Sequence, residues 1–565
     1  MISVSRLKRL LKSELFIISV AIFCVTLVTL PSYFFGKEFM YLNHDRNVHP
    51  IRLWHVENAL YEGLVLPNWI TTFTNELGSP VFLFNWFIPY YMALIPRVLG
   101  FNLADSIKLI FLASYIFSGY SFYVLSRTWF SKSNALVATI FFLTLPYRFT
   151  LIFVRGALGE AVALSILPLF LYYWVNPQRR FSLLGTTLTT VLLITSHNVV
   201  ALYAVFIAML WLVFKLKSLK EYLPVVFGFI LGVALTTFFW LPSIYEKNLT
   251  HIEVAQKWSR DHFVDFEYLF TSPWRKLHGL PHDLPYGMSL NLGITTIFVI
   301  VTLILFHFNQ SKIKKKYRQL STFLFIGVGI TIFLQTTIAK PIWETFTWLS
   351  LTIFPWRLQA ITTLFLSLMY GCLGTFIKGI GKWTVFFCLI TINLAWLQPW
   401  QLLTAYEPEQ TFLPAWHDGS AEGEFLPRTA DRSEYKSWYT GEIPPTGLYQ
   451  IEGNASVENL NRNGNQFNLE LTTEESIHFI LNHYYFPGWK GTLDTQPLDI
   501  SHNLKDYKGR INFKVSPGKH RVTITFVSTP IRKFSQMISA GTLLLTISYL
   551  IYGIGTKYKR PDSIK

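Results

Sequence analysis

Residues 182–214 read SLLGTTLTTVLLITSHNVVALYAVFIAMLWLVF, two apolar runs that meet at Ser196-His197-Asn198. Neither run contains Asp, Glu, Lys or Arg. Similar runs recur along the chain, and about 20 apolar residues are enough to cross the hydrocarbon core of a bilayer. The sequence therefore predicts a polytopic α-helical membrane protein.

Twelve segments have the length and apolar character of spanning helices. The pair at 182–196 and 198–214 has a second interpretation, as two half-depth helices that meet at the outer face. The predicted spans lie near 15–35, 103–126, 134–150, 157–175, 182–196, 198–214, 221–243, 291–308, 319–338, 357–376, 382–398 and 533–553.

The composition agrees with this fold class. Of the 565 residues, 51% are hydrophobic and only 15% are charged, and the mean hydropathy is +0.34. Soluble domains carry about 25% charged residues, so a single soluble fold is excluded, and so is a disordered chain. The three cysteines, Cys24, Cys372 and Cys388, all lie in apolar runs, which leaves no disulfide framework for an exposed domain.

The net charge of +16 is explained by topology. Lys and Arg cluster near the termini and in short loops between predicted spans, and placing both termini inside puts every cluster on the cytoplasmic face, as the positive-inside rule requires. The basic excess is thereby accounted for, and we expect no nucleic-acid partner. Counting the apolar segment 81–99 as a further span would invert every later loop. We therefore predict that this segment, which Pro89 and Pro96 interrupt, is re-entrant or interfacial.

The same topology places residues 36–102 and 399–532 outside. From Gly447 onward, runs such as QFNLELTT (466–473) and HRVTITFV (520–527) alternate as strands do, and Asn463-Gly464 is a turn signal. The domain prediction has four parts: a transmembrane domain at 1–398 with the outer loop 36–102, an extracytoplasmic linker at 399–446, a β-sandwich-like domain at 447–532, and the last span with a basic cytoplasmic tail at 533–565.

The first outer loop holds the leading candidate residues. Asp45 follows the first span closely, and His49 and Arg52 come after it at helical spacing. A carboxylate, an imidazole and a guanidinium at a membrane boundary could bind a phosphate and deprotonate a hydroxyl. The alternative interpretation is a solvated interfacial helix with a salt-bridged aspartate.

A second candidate group lies in PYRFTLIFVRGALGE, residues 146–160. Arg148 and Arg155 are seven residues apart, which puts them on one face of a regular helix, where two guanidiniums could hold a pyrophosphate. The alternative is that both arginines reach toward the interface and pair with Glu160.

Three further residues are weaker candidates. His197 and Asn198 could donate hydrogen bonds to a substrate or could be structural, and Arg357 in FPWR could touch a head group or serve as an interfacial anchor. The sequence has no HExxH, paired CxxC, DxD, Gly-rich phosphate loop or GxSxG motif. It therefore predicts no metal site.

The order of these elements resembles a known group of bacterial membrane proteins. Asp45, His49 and Arg52 are followed by EGLVLPNW, ELGSPVFLFNWFIPYYMAL, PYRFTLIFVRGALGE, SHN, FFWLPSIYE and FPWR. This order resembles the "6-pyruvoyl-tetrahydropterin synthase-related" membrane proteins, which are similar in plan to the YfhO family and to the GT-C glycosyltransferase superfamily. The segment NHYYFPGWKGTLD with VSPGKHRVTITFVSTP before the last span is YfhO-like. The zinc-binding histidine cluster of a soluble pterin synthase does not occur here.

The resemblance implies a GT-C fold and a glycosyltransferase. Such enzymes take a sugar from a polyprenyl-phosphate carrier on the outer leaflet, and an acidic residue in the first outer loop acts as base or metal ligand. Asp45 occupies that position, but its neighbours His44 and Arg46 replace the second acid that many members carry, so the cofactor is unknown and a divalent metal stays open. Under the predicted topology, Arg148, Arg155 and Arg357 lie at head-group depth.

The expected partners are a polyprenyl-phosphate-linked sugar, the bilayer, and a cell-envelope glycan, lipid or protein as acceptor. The alternatives are a lipid or glycan transporter or flippase, a polymer ligase or polymerase, and a non-catalytic protein of envelope assembly.

Overall fold

The structure is a computed structural model that describes most of the chain. It covers residues 13–30, 39–41, 44–45, 48–74, 76–260, 262–271, 290–308, 315–377, 379–395, 403–405, 423–433, 447–502 and 507–558. The N-terminal basic cluster, most of the predicted linker 399–446 and the end of the basic tail lie outside these residues.

The described part is mostly helical, and helices lie at every segment that the sequence predicted to be a span. Their bounds are Glu14–Thr29, Val48–Tyr61, Val81–Phe84, Ile88–Val98, Leu103–Ser126, Lys132–Thr144, Pro146–Phe149, Leu158–Val175, Ser182–Ser196, Asn198–Phe214, Leu223–Leu235, Thr237–Glu246, Glu253–Lys257, Tyr268–Thr271, Ile294–Phe308, Lys315–Gln335, Lys340–Thr345, Gln359–Phe376, Gly379–Ala395 and Pro530–Tyr558, with a π-helix at Thr150–Arg155.

Within the described ranges, four helical segments are long and apolar enough to cross a membrane, or up to six if each of two bent pairs is one span. The bent pairs are Lys132–Thr144 with Pro146–Arg155, at 48°, and Leu219–Leu235 with Thr237–Leu249, at 65°. Other apolar helices are shorter, such as the 15-residue Ser182–Ser196, which at 1.5 Å per residue extends only about 22 Å. The total of twelve spans stays a prediction.

The first bend has a local cause. Leu145 precedes Pro146 and adopts extended dihedral angles, φ −67° and ψ 144°, because a proline disfavours the helical conformation of the residue before it. A new helix starts with the proline, widens into the π-helix and ends at Gly156, which has φ +64°. This bend brings the carboxyl end of the π-helix to the loop that contains Asp45.

Glycine lets the helices Ser182–Ser196 and Leu223–Leu235 approach closely. A Cβ atom on Gly228 would lie 2.5 Å from the carbonyl oxygen of Leu183. The hydroxyl of Thr187 also donates to the Gly228 carbonyl at 3.0 Å. Small residues and hydroxyl groups of this kind commonly hold helices together in membranes, where lipid tails remove most of the hydrophobic drive for association.

The segment predicted to be re-entrant, 81–99, consists of two helices. Val81–Phe84 and Ile88–Val98 are separated by an irregular turn at 85–87. Trp86 of this turn is stacked on Tyr90, with ring centroids 5.1 Å apart, and its ring covers Gly159, where a Cβ atom would lie 2.4 Å away. The break therefore sits against the helix Leu158–Val175 and is covered by protein.

The C-terminal region is a β-structure of two antiparallel sheets, ordered β4-β5-β10-β7-β8 and β3-β6-β9, and a separate pair, β1-β2, joins residues far apart in the chain. The strands are β1 Phe39–Tyr41, β2 Leu403–Ala405, β3 Tyr449–Glu452, β4 Ala455–Asn463, β5 Gln466–Thr473, β6 Ile477–Tyr484, β7 Trp489–Leu493, β8 Gln496–Leu498, β9 Arg510–Val515 and β10 Gly518–Phe526. Burial alternates along β5 as the sequence predicted. Buried side chains from both sheets form one core.

This β-structure packs on the loop of the helical part that contains Trp69. Trp69 enters its core and donates from Nε1 to Nε2 of His483 at 2.8 Å. The Nδ1–H group of His483 donates to the carbonyl oxygen of Glu76 at 2.7 Å. The backbone N–H of Tyr484 donates to the Leu77 carbonyl at 2.7 Å. The β-structure thereby fixes the loop that leads to the turn at 85–87.

Candidate functional site

A cavity of about 560 Å³ lies where the loop that contains Asp45, the π-helix and the 3-10 helix Pro355–Leu358 meet. Its walls bring together residues that are more than 300 positions apart in the chain. Of the predicted site residues, it is lined by Asp45, His49, Arg52, Arg155, Glu160, His197, Asn198 and Arg357.

Backbone hydrogen bonds hold Asp45 beside the π-helix. The N–H of His44 donates to the Val154 carbonyl at 2.9 Å, and the N–H of Asp45 donates to the Arg155 carbonyl at 3.1 Å. The Asp45 carbonyl in turn accepts from the N–H of Val48 at 3.1 Å, where the next helix begins. The carboxylate is therefore placed by the main chain on both sides.

His49 is fixed by both of its ring nitrogens. Nε2 lies 2.7 Å from the Gly156 carbonyl oxygen and therefore donates to it, and Nδ1 accepts from the Tyr90 hydroxyl at 3.0 Å. The Asp45 carboxylate is 3.8 Å from Nε2. Burial, reinforced by the charge of Arg52, lowers the pKa of His49 to about 3. His49 is thus a neutral residue that positions the loop.

Arg155 and Glu160 form a buried ion pair. Nη1 of Arg155 lies 2.7 Å from Oε2 of Glu160, and the Tyr147 hydroxyl donates to Oε1 of the same carboxylate at 2.5 Å. The side chains of Arg155 and Glu160 are only 6% and 1% exposed. The sequence hypothesis that an arginine of this segment pairs with Glu160 therefore holds for Arg155, which also lines the cavity.

Aromatic rings support the three arginines of the cavity. The guanidinium of Arg155 lies 4.7 Å from the Trp356 ring centroid, that of Arg357 lies 5.0 Å from Phe354, and that of Arg52 lies 5.9 Å from Phe425. Cation–π contacts of this kind orient a guanidinium without neutralising its charge. The rings thus help to hold the three positive charges at the cavity wall.

His197 and Asn198 occupy the junction of two short helices. His197 caps the helix Asn198–Phe214, and its Nδ1 accepts from the Val200 N–H at 3.3 Å. Asn198 is exposed at the cavity wall. The structural role expected for His197 is therefore present, and its ring also contacts Trp86 at 6.3 Å between centroids.

Arg148 is not among the residues that line this cavity. It is 1% exposed, lies against the rings of Tyr115 and Phe142 at 5.3 and 5.1 Å, and donates from Nη2 to the Ser118 hydroxyl at 2.9 Å. The expectation that Arg148 and Arg155 share a face assumed a regular α-helix. The π-helix at Thr150–Arg155 changes the angular step per residue, so the two guanidiniums are directed to different surroundings.

The cavity also contains residues that the sequence analysis did not select. Trp86, Trp356 and His262 line it, as do Glu424 and Phe425 from the predicted linker. Trp86 and Trp356 lie within the motifs NWF and FPWR, so their aromatic character was a usable signal. Glu424 had none, because an isolated glutamate in a polar stretch resembles any solvated residue.

The electrostatic surroundings of Asp45 are unusual for an aspartate. Its side chain lines the cavity and is 40% exposed there. Burial raises the pKa of the Asp45 carboxyl to about 6, although the guanidiniums of Arg155, Arg52 and Arg357 act in the opposite direction. A carboxyl group with this pKa is half ionised near pH 6 and is suited to accept a proton.

The residues around Asp45 do not fit a divalent metal site. The positive charges of Arg155, Arg52 and Arg357 act on Asp45 and would repel a cation. No group of three or more His, Cys, Asp or Glu side chains suited to a metal occurs among the described residues. Metal ions in proteins of this kind need several carboxylate or imidazole ligands. The described side chains around Asp45 do not supply such a ligand set.

Comparison with protein families gives one match. The family model of the 6-pyruvoyl-tetrahydropterin synthase related domain, described as a membrane protein, matches residues 84–403. The chain belongs to this family. The match covers the helical part from Phe84 to the strand β2, which includes Arg155, Glu160, His197 and Arg357. No curated protein sequence matches the chain.

Membership of this family agrees with the apolar helices in describing a membrane protein. The matched range begins after Asp45, His49 and Arg52, so these three residues are outside it. They reach the matched part through the backbone pairing of the Asp45 loop with the π-helix.

Proposed function

We propose that this protein is a membrane glycosyltransferase that moves a sugar from a polyprenyl-phosphate donor to a cell-envelope acceptor at the outer face. The observation that supports it most is the cavity in which Asp45, with a pKa of about 6, lies among three arginines held on aromatic rings. Its volume of about 560 Å³ is in the range of small-molecule sites.

The donor's anionic group would be bound by the arginines. Arg155 is already paired with Glu160, which offsets part of its charge. Nε of Arg357 is buried and has no hydrogen-bond partner in the described part of the chain, and Nη1 makes only a long bond to the Thr352 carbonyl at 3.3 Å. A buried N–H group normally finds an acceptor, and a phosphate oxygen would provide one.

The chemical step follows from this arrangement. The acceptor hydroxyl oxygen attacks the anomeric carbon as its proton moves to the Asp45 carboxylate, and the bond between the anomeric carbon and the phosphate oxygen breaks. Direct displacement inverts the configuration at that carbon. The departing polyprenyl phosphate carries the developing negative charge, which Arg357 and Arg52 stabilise because their charges are fixed before the reaction.

The proposal includes a topology. Twelve spans with both termini in the cytoplasm, and residues 399–532 outside, would put the cavity at the outer leaflet, where a lipid-linked donor can enter sideways. The aromatic rings of Trp86, Phe354 and Trp356 in its wall suit a position at the bilayer interface. The β-structure would then cap the cavity or hold the acceptor.

Cells with and without the protein should differ in one glycosylated envelope product and in the matching lipid-linked sugar, both measured by mass spectrometry of extracted lipids and glycans. We expect Asp45→Asn to remove the product and accumulate the lipid-linked sugar, with the protein still present in membranes. Asp494→Asn makes the same chemical change on an exposed β-structure residue and should have no effect.

Full product formation by the Asp45→Asn variant would refute the role of Asp45. If the purified protein instead moves the lipid-linked sugar across liposome bilayers without consuming it, the transporter or flippase interpretation is correct. If neither product nor lipid-linked sugar changes, the chain is an assembly protein without catalysis.

A further inference from the structure

A second cavity lies at the end of the helical part opposite to the loops that carry Asp45. It has a volume of about 450 Å³ and is formed by the ends of the helices Leu158–Val175 and Asn198–Phe214, the 3-10 helix Leu216–Tyr222 and the start of the helix Lys315–Gln335. The charge bias of the loops predicts that this end is cytoplasmic. The cavity shares no lining residue with the one described above.

The floor of this second cavity is aromatic and well fixed. The rings of Trp129 and Trp211 meet edge to face, with centroids 5.9 Å apart. The Trp211 Nε1–H donates to the Tyr222 hydroxyl at 2.9 Å. Asn176 donates to the Thr128 hydroxyl at 3.1 Å, which ties together two of the loops that form the wall.

The rim of this second cavity is polar and carries a net positive charge. Arg179 and Lys215 line the cavity against one acidic lining residue, Glu221. The Nζ atom of Lys215 lies 5.2 Å from the Trp211 ring centroid, so its charge is held over the aromatic floor. Gln178 and Gln319, both exposed, add amide donors to the rim.

The surroundings are apolar and exposed, as expected where a bilayer meets the protein. Phe214, which lines the cavity, is 36% exposed, and the neighbouring Phe181 and Leu223 are 57% and 63% exposed. Tryptophan and tyrosine are enriched at this depth of a membrane. A ligand in this cavity can therefore have a phosphate at the rim and an apolar tail along the exposed side chains.

We propose that this cavity binds the head group of an anionic phospholipid. Arg179 and Lys215 would contact its phosphodiester, and Phe214 with the tryptophans would contact the glycerol and the start of the acyl chains. Basic pockets between helices on the cytoplasmic side of membrane proteins recognise anionic lipids in this way. The proposal does not depend on the sugar-transfer function.

The test uses the full-length protein purified in detergent and titrated with phosphatidylglycerol or phosphatidylcholine, with bound lipid counted by native mass spectrometry. We expect a saturable site that prefers phosphatidylglycerol. The double variant Arg179→Gln/Lys215→Gln should bind it about 25-fold more weakly, at about fivefold per cation. The control Arg180→Gln/Lys220→Gln removes the same charge from the same two loops but from residues outside the cavity, and should change binding less than about twofold.

Glu221→Gln provides a test in the opposite direction. Because it removes the acidic residue of the rim, it should tighten phosphatidylglycerol binding by about fivefold, a gain that a damaged fold cannot produce. Equal losses in the two double variants would mean diffuse surface attraction and would overturn the proposal, as would unchanged binding in all variants. Displacement of the lipid by inorganic phosphate alone would assign the cavity to free phosphate instead.

Discussion

Lowering the pH from about 7 to about 5 should remove most of the sugar transfer, because the proposed base loses its charge in this range. A carboxyl group with the pKa of about 6 found for Asp45 is about nine-tenths ionised at pH 7 and about one-tenth ionised at pH 5. An aspartate with an ordinary pKa would still be about nine-tenths ionised at pH 5. The ratio of kcat/KM at the two pH values therefore separates the two cases by roughly a factor of nine.

The assay measures the initial rate at which the purified protein transfers sugar from the lipid-linked donor to a cell-envelope acceptor fraction. The donor is prepared from cells that carry the Asp45→Asn variant. The protein is incubated at each pH and returned to pH 7 to verify that it has not denatured. A rate that falls in proportion to ionisation, with a midpoint near pH 6 in kcat/KM, is the expected result. A profile that stays flat from pH 7 to pH 5 would contradict the reasoning.

The variant Arg357→Gln should shift the pH midpoint of kcat/KM in a known direction. The positive charge of Arg357 lowers the pKa of Asp45, so its removal should move the midpoint to higher pH, in addition to weakening donor binding. Arg428→Gln is the matched control, because Arg428 pairs with Glu253 on the surface and does not line the cavity. A midpoint that moves to lower pH in the Arg357→Gln variant would show that a different group controls the profile.

Three further predictions concern the frame of the site. Glu160→Gln leaves the buried Arg155 charge without its partner and should cost about 3–5 kcal/mol of stability. The melting temperature of the purified protein should therefore be highest for the wild type, lower for the double variant Glu160→Gln/Arg155→Gln and lowest for Glu160→Gln alone. Gly78→Ala should loosen the contact between its loop and the β-structure and speed limited proteolysis there, because its Cβ atom would lie 2.4 Å from a tryptophan ring. Gly63→Ala is the control, since Gly63 also has a positive φ but has open space around it. This control variant should be cut no faster than the wild type at that contact. His49→Gln should lower kcat/KM while leaving the pH midpoint in place, because the pKa of His49, about 3, lies below the tested range; a lost midpoint would make His49 the titrating group.

Local sequence was sufficient for most of the helices and for β5, but it did not predict the π-helix or the paired strands β1 and β2. The apolar runs predicted the helices, and the alternation at 466–473 predicted β5 with the same bounds, because both patterns depend on which face of a segment avoids water. Asp45 was predicted to follow the first span and to precede a helix that carries His49 and Arg52, and the structure has that order. These features depend only on neighbouring residues.

The composition of the site depended on tertiary structure. Arg148 and Arg155 looked equivalent in sequence, but the π-helix leaves Arg155 in the cavity and Arg148 among aromatic rings. Glu424 reaches the cavity from a segment whose sequence predicted only a linker. Neither outcome can be predicted from local patterning, since the first depends on one extra backbone step in a helix and the second on contacts across several hundred residues.

The sequence by itself thus determined a membrane protein, the helices at its apolar runs, the strand β5, and the position of Asp45 shortly after the first apolar helix. Only the tertiary structure decided which charges meet, because the pairing of Asp45 with the end of the π-helix and the contact of Trp69 with His483 join segments about 110 and 414 residues apart. Hydrophobic periodicity is a local property, whereas the pKa of a carboxyl group depends on all the charges around it and on how far burial removes it from water.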